Sequence, residues 1–283
     1  MIPSPNDAYF ADNEANWDER ARLHEETGYG VPELLTDPAA LSPELAQDVE
    51  RLGDLAGLDV VHLQCHLGTD TIGLKRLGAA RVVGLDPSGE SIRRARSIAE
   101  RAGESIEYVE ANVYDARRAV EGDFDLVYTS IGVLNWLPDV RAWARVVASL
   151  MRPGARFFIR DDHPVFYAVG DDASKGLVLA DPYFERAEPL TWESAESYVP
   201  RAEGVAPLSA TLNHSWNHSL GEIVTALIDA GLVLDSLEET RESAWARWPE
   251  IMERAEDGFF RLRENRDVLP LSFILRAHRP EAR

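Results

Sequence analysis

A single cysteine, Cys65, leaves no partner for an intrachain disulfide, and no stretch has the apolar length of a leader core or a membrane-spanning helix. The expectation is a soluble protein of the reducing cytoplasm. Positive charge is also scarce. Against 49 Asp and Glu there are 29 Lys and Arg, giving a formal net charge of −20 and a pI near 4.7. Such a surface repels nucleic acid and anionic lipid alike, so small or cationic partners fit better, although acidity also serves solubility alone. Repeats and low-complexity tracts are absent. With 283 residues, 45% of them hydrophobic, the chain can bury a large core without covalent staples.

What is present is an alternation. Residues 59–64 are apolar, a helical pattern covers 70–78, and residues 81–86 form a second apolar run ending at Asp86. Next come a helix over 88–102 stopped by Gly103, an apolar run at 106–109 and the run Phe124–Thr129. A helix from Pro138 to Leu150, closed by Pro153 and Gly154, leads into the run Arg156–Arg160. Strands alternating with helices at this spacing predict an α/β, Rossmann-like, doubly wound and mostly parallel sheet with right-handed crossovers.

Residues 1–57 predict a helical cap ahead of that core. One helix runs through Tyr9–His24 and breaks at Gly28, Gly30 and Pro32. Another is N-capped by Ser42, with Pro43 in its first turn and Leu45, Val49, Leu52 and Leu55 at helical spacing. After the core segment 58–161 the rhythm stops, and residues 162–215 predict an insertion over the open edge of the sheet, a substrate lid. Residues 216–283 return to the sheet. They predict a helix over Ser219–Asp229, a strand at Leu232–Leu237, an irregular helix around Pro249–Arg263 and a last strand at Leu271–Ala277.

Strand, tight turn, helix and second strand with an acid at its tip form a pocket for a nucleoside. The Asp86 carboxylate can accept hydrogen bonds from two vicinal ribose hydroxyls, or it can cap the helix beginning near Ser88. After the third strand, the side-chain carbonyl of Asn112 and the N–H of Val113 can read an adenine edge, though Asn112 also suits a plain turn. Gly68 permits close approach of the turn, with Gln64, Cys65 and His66 lining it. A metal at His62-x-x-Cys65-His66 is disfavoured, because a closed ligand set is missing. His163 follows the fifth strand, where ligands of such sheets sit, and is the general-base candidate. His214, Trp216 and His218 form a second cluster, in which His218 can simply cap a helix.

The stretches GLDPS (84–88), YVEANVYDA (108–116), FDLVYTSIGVLNWLPD (124–139) and MRPGARFFIRD (151–161) resemble the class I methyltransferases that use S-adenosylmethionine. HLQCHLGTDT (62–71) is similar to a bacterial subgroup of them. Where the family commonly has an aspartate and three glycines, this chain has His62, Gln64, His66 and Gly68. The resemblance spans about residues 55 to 278. It implies a seven-stranded sheet with an antiparallel last strand, S-adenosylmethionine as cofactor, and methyl transfer to a small molecule. It also implies that Ser130 and Ile131 flank the sulfonium, with Trp136 nearby unless it is a core ring beside Trp143.

Trp17, Arg20 and His24 share one face of the first helix. The resemblance places that helix over the cofactor, whereas amphipathic packing is the competing account. Aromatic residues of the insertion (Phe166, Tyr167, Tyr183, Phe184, Trp192, Tyr198) then exclude water and face the cationic donor. Two alternatives stay open: a nicotinamide-dependent oxidoreductase, for which Gly-x-Gly-x-x-Gly is missing around 64–69, and a non-catalytic cofactor-binding protein of the same fold.

Overall fold

Residues 5–199, 201 and 204–281 are described in the computed structural model. Three helices, α1 (Pro5–Thr27), α2 (Val31–Thr36) and α3 (Pro43–Leu52), precede the first strand. The start of α3 follows from local chemistry. Ser42 Oγ accepts the Leu45 N–H at 3.3 Å, Pro43 fits the first turn, and Gly53 leaves the helix with a positive φ of 68°.

The alternating core then runs β1 (Asp59–Leu63), α4 (Thr69–Arg76), β2 (Arg81–Asp86), α5 (Gly89–Arg101), β3 (Glu107–Glu110), α6 (Ala116–Ala119), β4 (Phe124–Thr129), α7 (Val140–Leu150) and β5 (Met151–Asp162). Beyond it lie α8 (Pro164–Ala168), β6 (Leu190–Glu193), β7 (Leu212–Ser215), α9 (Leu220–Asp229), β8 (Val233–Thr240), β9 (Met252–Arg254), β10 (Phe260–Leu262) and β11 (Ser272–His278).

The main sheet has seven strands in the order β3-β2-β1-β4-β5-β11-β8, with β11 antiparallel to both neighbours and the other pairings parallel. This is the expected architecture. Alternate residues of each central strand bury to opposite faces. Val61, Val83, Val127 and Phe157 meet Trp143 and Val147 of α7 and Leu227 of α9, whereas Val60, Val82, Leu126 and Phe158 meet Leu45 and Leu52 of α3. Burial on both faces explains why these strands are continuous apolar runs in the sequence. Strand order reverses between β1 and β4, which opens a crevice at their carboxyl ends.

One charged pair crosses the second face. Arg160 of β5, fully buried, places Nε and Nη2 at 2.7 and 2.6 Å from the carboxylate of Asp48 on α3, and its guanidinium lies over the Phe259 ring. Its Nη1 has no hydrogen-bond partner among the described residues.

Residues 249–263 correct an expectation. They hold no helix; β9 and β10 pair antiparallel across a tight turn. Asp257 accepts the Phe259 N–H at 3.0 Å, and Gly258 takes a φ of 90°, a conformation in which glycine meets no steric cost. Met252 and Leu262 face one small cluster with Phe166 and Trp248. The capping of α9 also differs from one reading, since Ser219 and Glu222 form the capping box and His218 does not take part.

Within 162–215, β6 and β7 make an antiparallel ribbon that lies on α1. Asn13 Nδ2 donates to the His214 carbonyl at 2.9 Å while its Oδ1 accepts the His214 N–H at 2.8 Å. Asn16 donates to the Ala210 carbonyl at 2.5 Å.

Candidate active site

A cavity of about 1720 Å³ lies at the carboxyl ends of β1, β2, β4 and β5, with residues of α1 and of the β6–β7 ribbon in its wall. Trp17, Arg20, Gln64, Cys65, His66, Asp86, Asn112, Val113, Ser130 and Ile131 all line it. Gly68 is behind the surface. Its φ is 69°, and a Cβ there would sit 2.4 Å from the Tyr108 hydroxyl, so it serves the packing of the turn.

The turn after β1 keeps a glycine-like backbone with few glycines. Gln64, His66 and Gly68 have φ values of 58°, 47° and 69°, so every second residue is left-handed. For Gln64 and His66 this costs roughly 1–2 kcal/mol each, and strain of this kind gathers where a backbone must meet a ligand. The turn brings the His66 N–H to Asp86 Oδ2 at 2.9 Å, and the Ser88 N–H donates to Oδ1 at 2.9 Å. Each carboxylate oxygen keeps acceptor capacity. Burial pushes Asp86 up to about 6 against these two N–H groups, with Asp18 and Glu14 adding to the rise.

The His66 ring is tied down. Its Nδ1 is 2.9 Å from Ser91 Oγ, and its Nε2 is 2.9 Å from Nδ1 of His24, whose Nε2 is 2.8 Å from Ser197 Oγ. Burial pushes His66 down to about 3 and His24 well below the usual range, so both imidazoles stay neutral at pH 7. Trp17 packs edge-on to His66 at 5.0 Å and to Trp136 at 5.5 Å. Cys65 is buried, and its thiol is held well above its usual range by that burial.

Arg20 is 6% exposed, donates from Nε to Asn16 Oδ1 at 2.5 Å and stands 5.6 Å from the Trp17 ring centroid. Among the described residues it has no carboxylate within ion-pair distance. Burial accordingly lowers its pKa, with only Tyr198 and Tyr29 opposing. In the wall of the same cavity, Gln64 donates to the Val133 carbonyl at 3.2 Å while its buried Oε1 has no donor among the described residues. A cation without a carboxylate and an acceptor without a donor, both in the wall of one cavity, suit a zwitterionic amino-acid group.

At the other end, Asn112 Oδ1 accepts the Tyr114 N–H at 3.1 Å and caps the short 3₁₀ turn Val113–Asp115. The turn reading of Asn112 therefore holds for its side chain. Ser130 Oγ donates to Asp70 Oδ2 at 2.5 Å, and Asp70 also accepts from Tyr128 and Ser42. Trp136 lines the cavity, while Trp143 packs in the core against Phe157.

The structure does not bring His163 into this cavity. It N-caps α8, accepting the Val165 N–H on Nδ1 at 3.1 Å, and its Nε2 is 2.9 Å from Glu239 Oε1. Pro164 starts α8, and the imidazole is consumed by the cap. His214 and His218 are likewise engaged, the first with Thr191 and Asp12, the second with Glu185 and the Leu137 carbonyl. Of the insertion aromatics, Tyr167, Phe184, Trp192 and Tyr198 line the cavity, and Phe166 is fully buried beneath it.

Among the cavity acids that escape sequence reasoning are Glu44, Asp70 and Asp162. Glu44 and Asp70 sit in first helical turns, where acids are ordinary. Burial and the charge of Asp70 push Glu44 up to about 7, against Arg160 and Arg254.

Residues 61–157 match the family model of a methyltransferase domain. The matched segment runs from Val61 within β1 to Phe157 within β5 and includes the turn carrying Gln64, Cys65 and His66. The ubiquinone biosynthesis O-methyltransferase of Methylobacterium sp. (strain 4-46) is 38% identical over 104 residues, 37% of this chain and 41% of that one. The protein of the same name from Cronobacter sakazakii is 33% identical over 156 residues, 54% of this chain and 60% of that one. The chain thus spans only about half the length of such relatives.

An S-adenosylmethionine-dependent methyltransferase from Mesorhizobium loti superposes with a TM-score of 0.55 at 22% identity, covering 84% of this chain and 98% of that one. The structure of DhpI with SAH gives 0.56 at 18% identity, covering 97% and 98%. The chain shares the Rossmann-like fold of these two structures.

Proposed function

We propose that the chain is an S-adenosylmethionine-dependent methyltransferase acting on a small molecule. The observation that carries this reading is the presence of Asp86 and Arg20 in one cavity at the β1–β4 switch point: a carboxylate with free acceptor capacity, and a buried cation without a counter-charge among the described residues. The strained turn between them and the methyltransferase-domain match support it.

Asp86 would hold the ribose hydroxyls, the backbone at Asn112 and Val113 the adenine edge, and Gln64 with Arg20 the ammonium and carboxylate. When bound, the cofactor supplies an electrophilic methyl group beside Ser130 and Ile131. The protein's part is to align the acceptor and keep water out, with Trp17, Trp136 and the 162–215 lid as walls. Alignment alone removes up to roughly 7–11 kcal/mol from such a barrier. No covalent bond to the protein is required.

Calorimetry with S-adenosylhomocysteine tests the reading. Binding above pH 7 is expected, and absence of heat from folded protein at high micromolar ligand overturns it. The pH dependence has a definite sign. Asp86 titrates near 6 in the free protein, and accepting two hydroxyls needs the ionised form, so below that pH ligand must displace a proton. Affinity is expected to be flat above pH 7 and to fall by about tenfold per unit below 6. Asp86→Asn is expected to weaken binding and to remove this acid dependence.

A further inference from the structure

Asp162, the last residue of β5, is 3% exposed. Its Oδ2 accepts from the Tyr167 hydroxyl at 2.7 Å and from Trp245 Nε1 at 2.9 Å, whereas its Oδ1 has no donor among the described residues. Asn135, 9% exposed, likewise has an Oδ1 without a donor. Both residues, together with Tyr167, Trp216 and Asn217, line the main cavity and also a side recess of about 10 Å³. That is room for one non-hydrogen atom with its protons.

The chemistry of the recess is selective. Two buried acceptors are left without protons, and a hydroxyl group brings only one proton whereas an amine or ammonium brings two or three. One of the acceptors is a carboxylate, so leaving it unpaired is costly and a cation is the natural occupant. The nearest protein cation does not fill that place. Arg247 stacks over Phe166, Tyr167 and Trp248, and its Nη2 is 2.9 Å from Asp171.

Aromatic rings favour positive charge, and Tyr167, Trp216 and Trp245 supply them here. The whole chain, at a formal −20, draws in cations rather than anions.

We propose that the methyl acceptor is an amine, seated as its ammonium between Asp162 Oδ1 and Asn135 Oδ1 against the Tyr167, Trp216 and Trp245 rings. This rests on the methyltransferase reading and names the acceptor class for it. In the seated ammonium one N–H bond breaks, its proton passes to Asp162 Oδ1, and the electron pair stays on nitrogen as the nucleophile. Asp162 holds the acceptor and takes its proton, whereas the neighbouring His163 is occupied in capping α8.

The test compares 2-phenylethylamine with 2-phenylethanol, which share a carbon skeleton, by calorimetry on the full chain with and without saturating S-adenosylhomocysteine. The amine is expected to bind about tenfold or more tightly than the alcohol. Asp162→Asn preserves the acceptor for Tyr167 and Trp245, so it is expected to keep the fold and the S-adenosylhomocysteine affinity while abolishing the amine preference. Asn135→Leu, which removes the second acceptor without changing charge, is expected to reduce that preference. Equal or tighter binding of the alcohol, or binding of neither probe, overturns the proposal. Survival of the preference in Asp162→Asn also overturns it and marks the recess as the site of a water. Failure of S-adenosylhomocysteine alone to bind overturns the cofactor reading and leaves the amine preference to be judged from the titrations without it.

Discussion

Arg20→Met weakens S-adenosylhomocysteine binding by about two to three orders of magnitude and leaves the affinity for 5′-methylthioadenosine within about threefold. The two ligands share the nucleoside, and only the first has the amino-acid carboxylate. Arg20 is buried beside Trp17 with no carboxylate paired to it among the described residues, so a ligand carboxylate would complete a desolvated ion pair. Removing one partner of such a pair costs about 2–5 kcal/mol. Methionine keeps the apolar stem that packs on Trp17, which confines the loss to the charge. Paired titrations of the two ligands measure it. Equal losses for both would mean that Arg20 merely shapes α1, and no loss would place the carboxylate elsewhere.

Asp48→Ala is the most damaging single change expected for the fold. Arg160 and Asp48 are both fully buried and joined by two short bonds, and burial pushes the Asp48 carboxyl up in spite of its partner. The pair therefore contributes little net stability, while its rupture leaves the guanidinium with only Glu242, 3.8 Å from Nη1 and not hydrogen-bonded to it, as counter-charge. A loss of about 3–5 kcal/mol is expected, which at about 2–4 °C per kcal/mol for a chain of this size lowers Tm by roughly 6–20 °C. Urea unfolding checks it. In the double variant Asp48→Leu, Arg160→Met much of the loss returns, because two apolar side chains leave no charge uncompensated. A double variant as unstable as the single one would show that the ion pair itself, and not the stranded cation, carries the effect.

The sheet was legible because its strands are buried on both faces and its helices begin and end with ordinary signals such as Ser42, Ser219 and Gly103. The ribbon at 252–262 was not. Its strands have three residues each, too few for a period of two to stand out from helical spacing. That Asp86 and Ser130 share one crevice could be read from the order of strand tips, irrespective of side-chain detail.

The surroundings of Asp162 could not. Asp162 and His163 are neighbours in sequence, and only the start of α8 decides that the imidazole turns to the Val165 N–H while the carboxylate meets Tyr167 and Trp245. Glu44 and Asp70 were hidden for another reason. An acid in a first helical turn needs no partner beyond the helix itself, so nothing in the sequence distinguishes those that face a cavity.

The reciprocal amide bonds between Asn13 and His214, with Glu19 accepting from Ser209 and Ala210, weld the first helix to a ribbon some two hundred residues later in the chain. Neither leaf can swing outward without the other. Their backbone protons should therefore exchange with deuterium at one shared opening free energy, lower than that of the central strands, and rise together when a nucleoside is clasped beneath them.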